Sequence, residues 1–281
     1  MTNHQQPVVS IQGEEGSFHH IAAEQLFNPQ DLQLLCRATF EEVFQDVDEQ
    51  KADYGIIACE NSIAGSISMN YNRLARYSIP IIAETYLRIS HHLMVPPGVE
   101  MEDIREIWSH PMAIEQCRNY LNRLDRKIHM VEMEDTAGAV KQIKEQGLTD
   151  VAAIASKRAS THYEMNILAP SIETDQENYT RFLILSHHKP DQLKETGHRK
   201  TTLHFSVAHK SGSLVAVLQE LGKLGVNMTK LESRPQLGTP WEYEFIVDLE
   251  LNIKTPLGED VMGVIKERTA FCEVLGCYPT V

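Results

Sequence analysis

The chain has no basic surplus, no long apolar run and no paired cysteines, and each lack closes off a class of function. Lys and Arg number 26 against 39 Asp and Glu, a formal charge of −13. Such a chain repels nucleic acid and anionic membranes unless it carries a basic stripe. The nearest candidate, His198-Arg199-Lys200, is short, so neither nucleic acid nor a membrane is expected as a partner. Cys36, Cys59, Cys117, Cys272 and Cys277 are odd in number and show no Cys-x-x-Cys spacing. That argues against a disulfide framework or zinc site and fits a reducing cytoplasm. No apolar stretch is long enough to span a bilayer, and Met1 to Gln6 lack the layout of a secretion signal. The 13 histidines include His19-His20, His91-His92 and His187-His188. Neighbouring side chains point in different directions, so no metal site is expected. A phosphate loop with its lysine is missing too, so no cofactor is expected.

What remains is an ordinary globular composition over 281 residues, 42% hydrophobic and 23% charged, which suggests about two domains. The first two-thirds alternates short apolar runs with helical patterns. Val8–Ile11, Leu32–Ala38, Tyr54–Cys59, Ile79–Tyr86, Ile107–Ser109, Ile128–Val131 and Val151–Ala155 read as strands. Helices are predicted at Phe18–Leu26, around Phe40 to Val47, at Ala113–Leu124 and at Thr136–Glu145. This alternation predicts βα units in an α/β fold of mainly parallel sheet. The polar stretch 188–199 reads as a linker. After it come a strand, a helix with Leu214, Val217, Leu218 and Leu221 on one side, two strands, a helix and a strand. The order βαββαβ is the ferredoxin-like split unit.

Several polar segments fall at the ends of the predicted strands, on the rim where open α/β sheets hold ligands. They are Gly13-Glu14-Glu15-Gly16-Ser17-Phe18, Glu60-Asn61-Ser62-Ile63-Ala64-Gly65, Ser109-His110-Pro111 with Gln116-Cys117, Asp135-Thr136-Ala137, and Asn178-Tyr179-Thr180-Arg181-Phe182. Taken singly, each is equally a helix cap or a turn. Gly65 would permit close backbone approach, and Arg181 offers a planar fork suited to a carboxylate. Together the segments argue for one cleft of neutral donors and one guanidinium, without an obvious nucleophile–base pair.

In that order, with Ala152-Ala153-Ile154-Ala155-Ser156 and Asn227-Met228-Thr229-Lys230-Leu231-Glu232-Ser233-Arg234-Pro235 added, the series resembles the prephenate dehydratases that carry a C-terminal ACT regulatory domain. The resemblance runs from about Ile11 to Tyr278. It departs from the family pattern at Glu14, Ala58, Met112 and Ser211, positions that shape turns. It implies a catalytic domain over 1–187, two-lobed like periplasmic binding proteins. Lobe 1 would be about 1–91 and 171–187, and lobe 2 about 92–170. The linker 188–199 and an ACT domain over 200–281 would follow.

The implied reaction is the decarboxylating dehydration of prephenate to phenylpyruvate. By resemblance, Thr180 serves the leaving hydroxyl, with Asn61 and Gln116 as its catalytic companions. Ser17, Ser62, Arg181, Phe182 and Thr136 bind substrate, and Glu60 and His110 support the site. L-Phenylalanine is the implied inhibitor, held by Gly212 and Leu214 on one wall and by Asn227, Glu232, Ser233, Arg234 and Pro235 on the other. A homodimer or homotetramer with paired ACT domains is implied as well. Two alternatives stay open: an arogenate dehydratase, and a non-catalytic two-lobed sensor of small anions.

Overall fold

The computed structural model describes residues 6–124, 127–188, 198–236, 239 and 241–280. Most of the expected linker, residues 189–197, therefore lies outside the described residues, as does the start of the chain, residues 1–5. Packing separates two compact units: Met1–Asn70 with Thr85–Phe182, and Tyr71–Glu84 with Leu183–Val281.

The first unit has two lobes. In one, strand Val8–Gln12 lies between Gln33–Arg37 and Tyr54–Asn61, all parallel. Helix Phe40–Asp48 covers them because Val43, Phe44 and Val47 fall on one side and are fully buried. A reciprocal Thr39–Glu42 capping box starts it. In the other lobe the strand order is Asn166–Ala169, His92–Val95, Val151–Ala155, Glu106–Ser109, His129–Glu132. The last three strands run parallel and His92–Val95 is antiparallel to Val151–Ala155. All five residues of Val151–Ala155 are buried, as a strand covered on both faces requires. One apolar cluster is built on Leu93, Ile107, Ile154 and Cys117, and a second on Val140, Ile143, Ala153 and Tyr163.

Two passages of chain connect the lobes, and they are tied together. Ile89 N–H donates to the Asn178 carbonyl at 2.7 Å and Ile172 N–H to the His91 carbonyl at 2.8 Å. The buried Glu173 carboxylate accepts from His91 N–H at 2.9 Å and from Ser90 Oγ at 3.1 Å.

The second unit contains the expected βαββαβ order: Arg199–Ser206, Ser213–Lys223, Met228–Pro235, Tyr243–Leu249, Pro256–Arg268 and Phe271–Pro279. Its four strands are all antiparallel, with Arg199–Ser206 between Tyr243–Leu249 and Phe271–Pro279. Leu203, Phe205, Val217, Val247 and Val261 fill its core.

One predicted helix is corrected. In place of Ala113–Leu124 the chain forms Pro111–Gln116 and Arg118–Leu121, broken at Cys117. The Gln116 carbonyl accepts from Thr174 N–H at 2.7 Å, so it is lost to a continuing helix. Gly65 has a φ of +80° and open space around it, a Cβ there meeting nothing within 4 Å. Protein atoms approach closely at Gly16, where φ is +87° and a Cβ would lie 2.7 Å from the Ala159 Cα. Gly16 joins the lobes: its carbonyl accepts from Ser156 Oγ at 2.5 Å, beside the Arg158–Glu24 pair at 2.9 Å.

Gly16→Ala is expected to destabilise the protein by about 2–4 kcal/mol through overpacking and a strained φ. That corresponds to a fall in Tm of roughly 5–15 °C. An unchanged Tm would show that Ala159 yields freely.

Candidate active site

The site is built outward from two backbone groups. Past the end of strand Tyr54–Asn61, the N–H groups of Ile63 and Ala64 donate to Asn61 Oδ1 at 3.0 and 2.8 Å. A backbone N–H can only donate, so these bonds fix which end of the carboxamide is oxygen. Asn61 Nδ2 must then face the other way. It lies 2.7 Å from Asn178 Oδ1, 3.0 Å from Thr180 Oγ1 and 3.1 Å from the Tyr179 carbonyl. Asn178 in turn gives its Nδ2 to Gln116 Oε1 at 2.9 Å, and His91 Nε2 sits 2.9 Å from the same oxygen. Asn61, Gln116 and Thr180, far apart in sequence, thus share one continuous network.

Thr180 and Asn178 are two residues apart, so they project on one face of the strand. Because Asn61 Nδ2 has no lone pair to offer, Thr180 Oγ1 must accept from it. The Thr180 hydrogen is left for another acceptor, and no further bond to this hydroxyl occurs among the described residues. Thr180 is 8% exposed, so this small polar opening is sheltered by its neighbours.

Period two sends Arg181 to the opposite face. Its guanidinium is 5% exposed and lies 3.9 Å from the Glu60 carboxylate. Arg181, expected to bind substrate, is thus turned away from Thr180 by strand alternation. Glu60 meets Arg181 here. Phe182 is corrected as a substrate contact. It shares the face of Thr180 by spacing but lies further along the strand, 1% exposed, with its ring edge-on to His19 at 5.0 Å.

Ser62 binds the strands together. Its Oγ donates to the Glu177 carbonyl at 3.0 Å and accepts from Tyr179 N–H at 2.9 Å. Ser17 caps helix Phe18–Leu26 by accepting from His20 N–H. The N–H groups beside it are spent locally, Gly16 N–H on His20 Nδ1 and Ser17 N–H on the Glu14 carbonyl. Among the described residues Ser17 Oγ itself only accepts, so its hydrogen is left for another acceptor, as at Thr180.

Helix Thr136–Gln146 is capped by Asp135 and begins at the half-buried Thr136. His110 caps Pro111–Gln116, its Nδ1 accepting from Met112 N–H at 3.2 Å. Burial holds His110 below the usual imidazole range, although Asp135 and Glu132 oppose the shift. Neutral His110 with Nδ1 as acceptor carries its proton on Nε2. Ser109 Oγ, fully buried, donates to the Ile154 carbonyl and is structural.

Two members of the network, Asn178 and His91, are not among the residues the sequence singles out for the site. Asn178 opens the motif that contains Thr180, and the i, i+2 spacing was the available signal. His91 belongs to the other connection between the lobes, and only folding brings it to Gln116.

In the second unit, Gly212 and Leu214 line a cavity with His209, Lys210, Tyr243 and Phe245. Asn227, Glu232, Ser233, Arg234 and Pro235 do not line it. Glu232 pairs with Lys230 at 3.1 Å and Arg234 is 6% exposed, whereas Ser233 is on the exposed side of the same strand. Asn227 Nδ2 donates to Glu250 at 2.8 Å. The two expected effector walls are separate within one chain. Among the described residues, no group of three or more His, Cys, Asp or Glu could hold a metal ion. No described helix is long and apolar enough to cross a membrane.

The chain is 35% identical over 285 residues to an arogenate dehydratase/prephenate dehydratase of Arabidopsis thaliana, covering 96% of this chain and 71% of the relative. A prephenate dehydratase from Arthrobacter aurescens, solved in complex with L-Phe, superposes with a TM-score of 0.86 at 26% identity, covering 97% of this chain and 90% of that one. GqqA, described as a novel type of quorum quenching acylase, also superposes at 0.86, with 31% identity and 98% of each chain covered. The family model for prephenate dehydratase matches residues 9–190, and with the relatives above this establishes that the chain belongs to the prephenate dehydratase family.

Proposed function

We propose that Thr180 donates the hydrogen bond that eases departure of the ring hydroxyl when prephenate becomes phenylpyruvate, carbon dioxide and water. The enzyme class follows from the family; the residue roles are inferred from the site. The single observation that carries them is the direction of the Asn61–Thr180 bond, which leaves the Thr180 proton pointing elsewhere.

In the reaction the carbon–carbon bond to the ring carboxylate breaks and its electron pair enters the ring. The carbon–oxygen bond to the hydroxyl then breaks, and the departing oxygen takes up a proton to leave as water. Formation of the aromatic ring supplies much of the driving force. A threonine hydroxyl is a very weak acid, so Thr180 stabilises or relays and is not itself the proton source. Accepting from Asn61 polarises its O–H and strengthens that donation. Gln116, whose Oε1 is occupied by Asn178 and His91, has both Nε2 hydrogens left for a substrate carboxylate. Fixed neutral donors of this kind stabilise developing charge without reorganising. Because Arg181 is on the other face, anchoring of the dianion falls to Gln116 and to donors such as Thr136 on the rim.

The likeness to an acylase favours one competing reading, acyl transfer, which needs a hydroxyl nucleophile paired with a base. Ser62, Ser109 and Ser156 do not offer one, since each donates its hydroxyl to a backbone carbonyl.

Residues 1–187 are taken as the catalytic domain, 188–199 as the linker and 200–281 as an ACT domain that binds L-phenylalanine. The cavity at Gly212 and Leu214 supports this, with the second wall supplied by a paired subunit in a homodimer or homotetramer. Inhibition then requires phenylalanine to favour a less active arrangement. A cytoplasmic setting agrees with the unpaired cysteines.

Purified protein is expected to convert prephenate to phenylpyruvate. Phenylalanine formed from arogenate at a higher kcat/KM would instead assign arogenate as the substrate, and release of acid from an acyl amide alone would overturn the dehydratase reading. Thr180→Val is expected to lower kcat about 10²–10³-fold with KM within a few-fold, and Thr180→Ser to recover most of the loss. Full activity of the valine variant would remove Thr180 from its role. Asn227→Ala or Ser233→Ala is expected to raise the phenylalanine concentration for half inhibition about tenfold, the worth of one hydrogen bond. Unchanged sensitivity would count against the second wall.

A further inference from the structure

We infer that His91 is a positioning residue: held as the Nε2–H tautomer, it locks the Gln116 carboxamide with its amide nitrogen turned toward substrate. The inference rests on the proposed dehydratase site and extends it to a residue that need not touch the reactants.

The direction of every bond is inherited from the backbone. Ile63 and Ala64 N–H groups fix Asn61, Asn61 Nδ2 fixes Asn178, and Asn178 Nδ2 fixes Gln116 with Oε1 inward. The last contact, His91 Nε2 to Gln116 Oε1 at 2.9 Å, faces an oxygen that can only accept, so Nε2 must carry a proton. The other ring nitrogen, Nδ1, is buried with no hydrogen-bond partner among the described residues, and His91 as a whole is 2% exposed. An unpaired acceptor there costs less than an unpaired N–H and a lone pair opposed to Gln116 Oε1, which the other tautomer would impose. Burial also keeps the ring neutral against the pull of Gln116 and Glu173.

The ring is held in place from several sides. Phe18 packs edge-to-face against it at 5.4 Å, and Glu173 accepts the His91 backbone N–H. His92 and His110 are the other titratable neighbours that act on it. Its backbone carbonyl accepts from Ile172 N–H. His91 therefore lies in one connection between the lobes and is bonded to the other, so Gln116 is oriented by the part of the chain that joins them. Without the His91 N–H, Gln116 Oε1 keeps Asn178 alone among the described residues, and the carboxamide gains freedom to rotate.

Two arms test this. Long-range proton–nitrogen NMR of histidine-labelled protein, without substrate, is expected to show a neutral imidazole with a slowly exchanging Nε2 proton at neutral pH. That signal should vanish in His91→Gln. An Nδ1–H tautomer or an imidazolium at His91 would overturn the inference. In steady-state kinetics, His91→Phe is expected to raise KM for prephenate about tenfold, the worth of one ordinary hydrogen bond. Its kcat should stay within about threefold, because Gln116 grips substrate and transition state alike. His91→Gln, which restores an N–H at similar reach, is expected to bring KM back near the parent value. Equal KM increases in both variants, or a loss confined to kcat, would also overturn it. If the parent protein showed no turnover, the dehydratase reading would fall, while NMR would still decide the state of His91.

Discussion

The orientation of one carboxamide governs the site. Ile63 and Ala64 N–H groups hold Asn61 Oδ1, and everything downstream follows from that constraint. Asn61 Nδ2 must donate, Asn178 Oδ1 and Thr180 Oγ1 must accept, and the Thr180 proton is released for a third party. The loop that does this is short and turns through Gly65 at φ +80°. A tight turn after a buried strand thus becomes a statement about which way a hydroxyl points.

The fold supplies the rigidity that such a statement needs. Asn61 ends a strand of the first lobe, Gln116 ends a broken helix of the second, and Asn178 and His91 come from the two connections between them. Those connections are fastened by backbone bonds and by the buried Glu173 carboxylate. The lobes also meet at Gly16, whose missing side chain lets Ala159 approach and whose carbonyl receives Ser156. A cleft assembled from such distant pieces keeps its geometry only when the pieces are pinned outside the cleft as well as inside it.

Much of this architecture was legible in the sequence, for identifiable reasons. Tyr243, Phe245, Val247 and Leu249 alternate cleanly and mark a strand; Val43, Phe44 and Val47 mark a helix face just as plainly. The βαββαβ order followed from such patterns. The strand His92–Val95, all four residues of which are buried, was missed. Helix Ser68–Tyr77 was missed because only Asn70, Tyr71 and Leu74 of its ten residues are buried. The break at Cys117 depends on Thr174, nearly sixty residues away, and no local pattern shows it.

For the site, the motifs named Asn61, Gln116 and Thr180, which share one hydrogen-bond network, but also named Arg181, which strand alternation turns away from Thr180, and Phe182, which lies buried against His19. Motifs record which residues occur together and leave open which way they face. The most direct measurement is a high-resolution crystal structure with an unreactive prephenate analogue bound. Thr180 Oγ1 is expected within about 3 Å of the ring hydroxyl oxygen while still accepting from Asn61 Nδ2. A ring hydroxyl held by another group, with Thr180 turned away, would contradict the central claim.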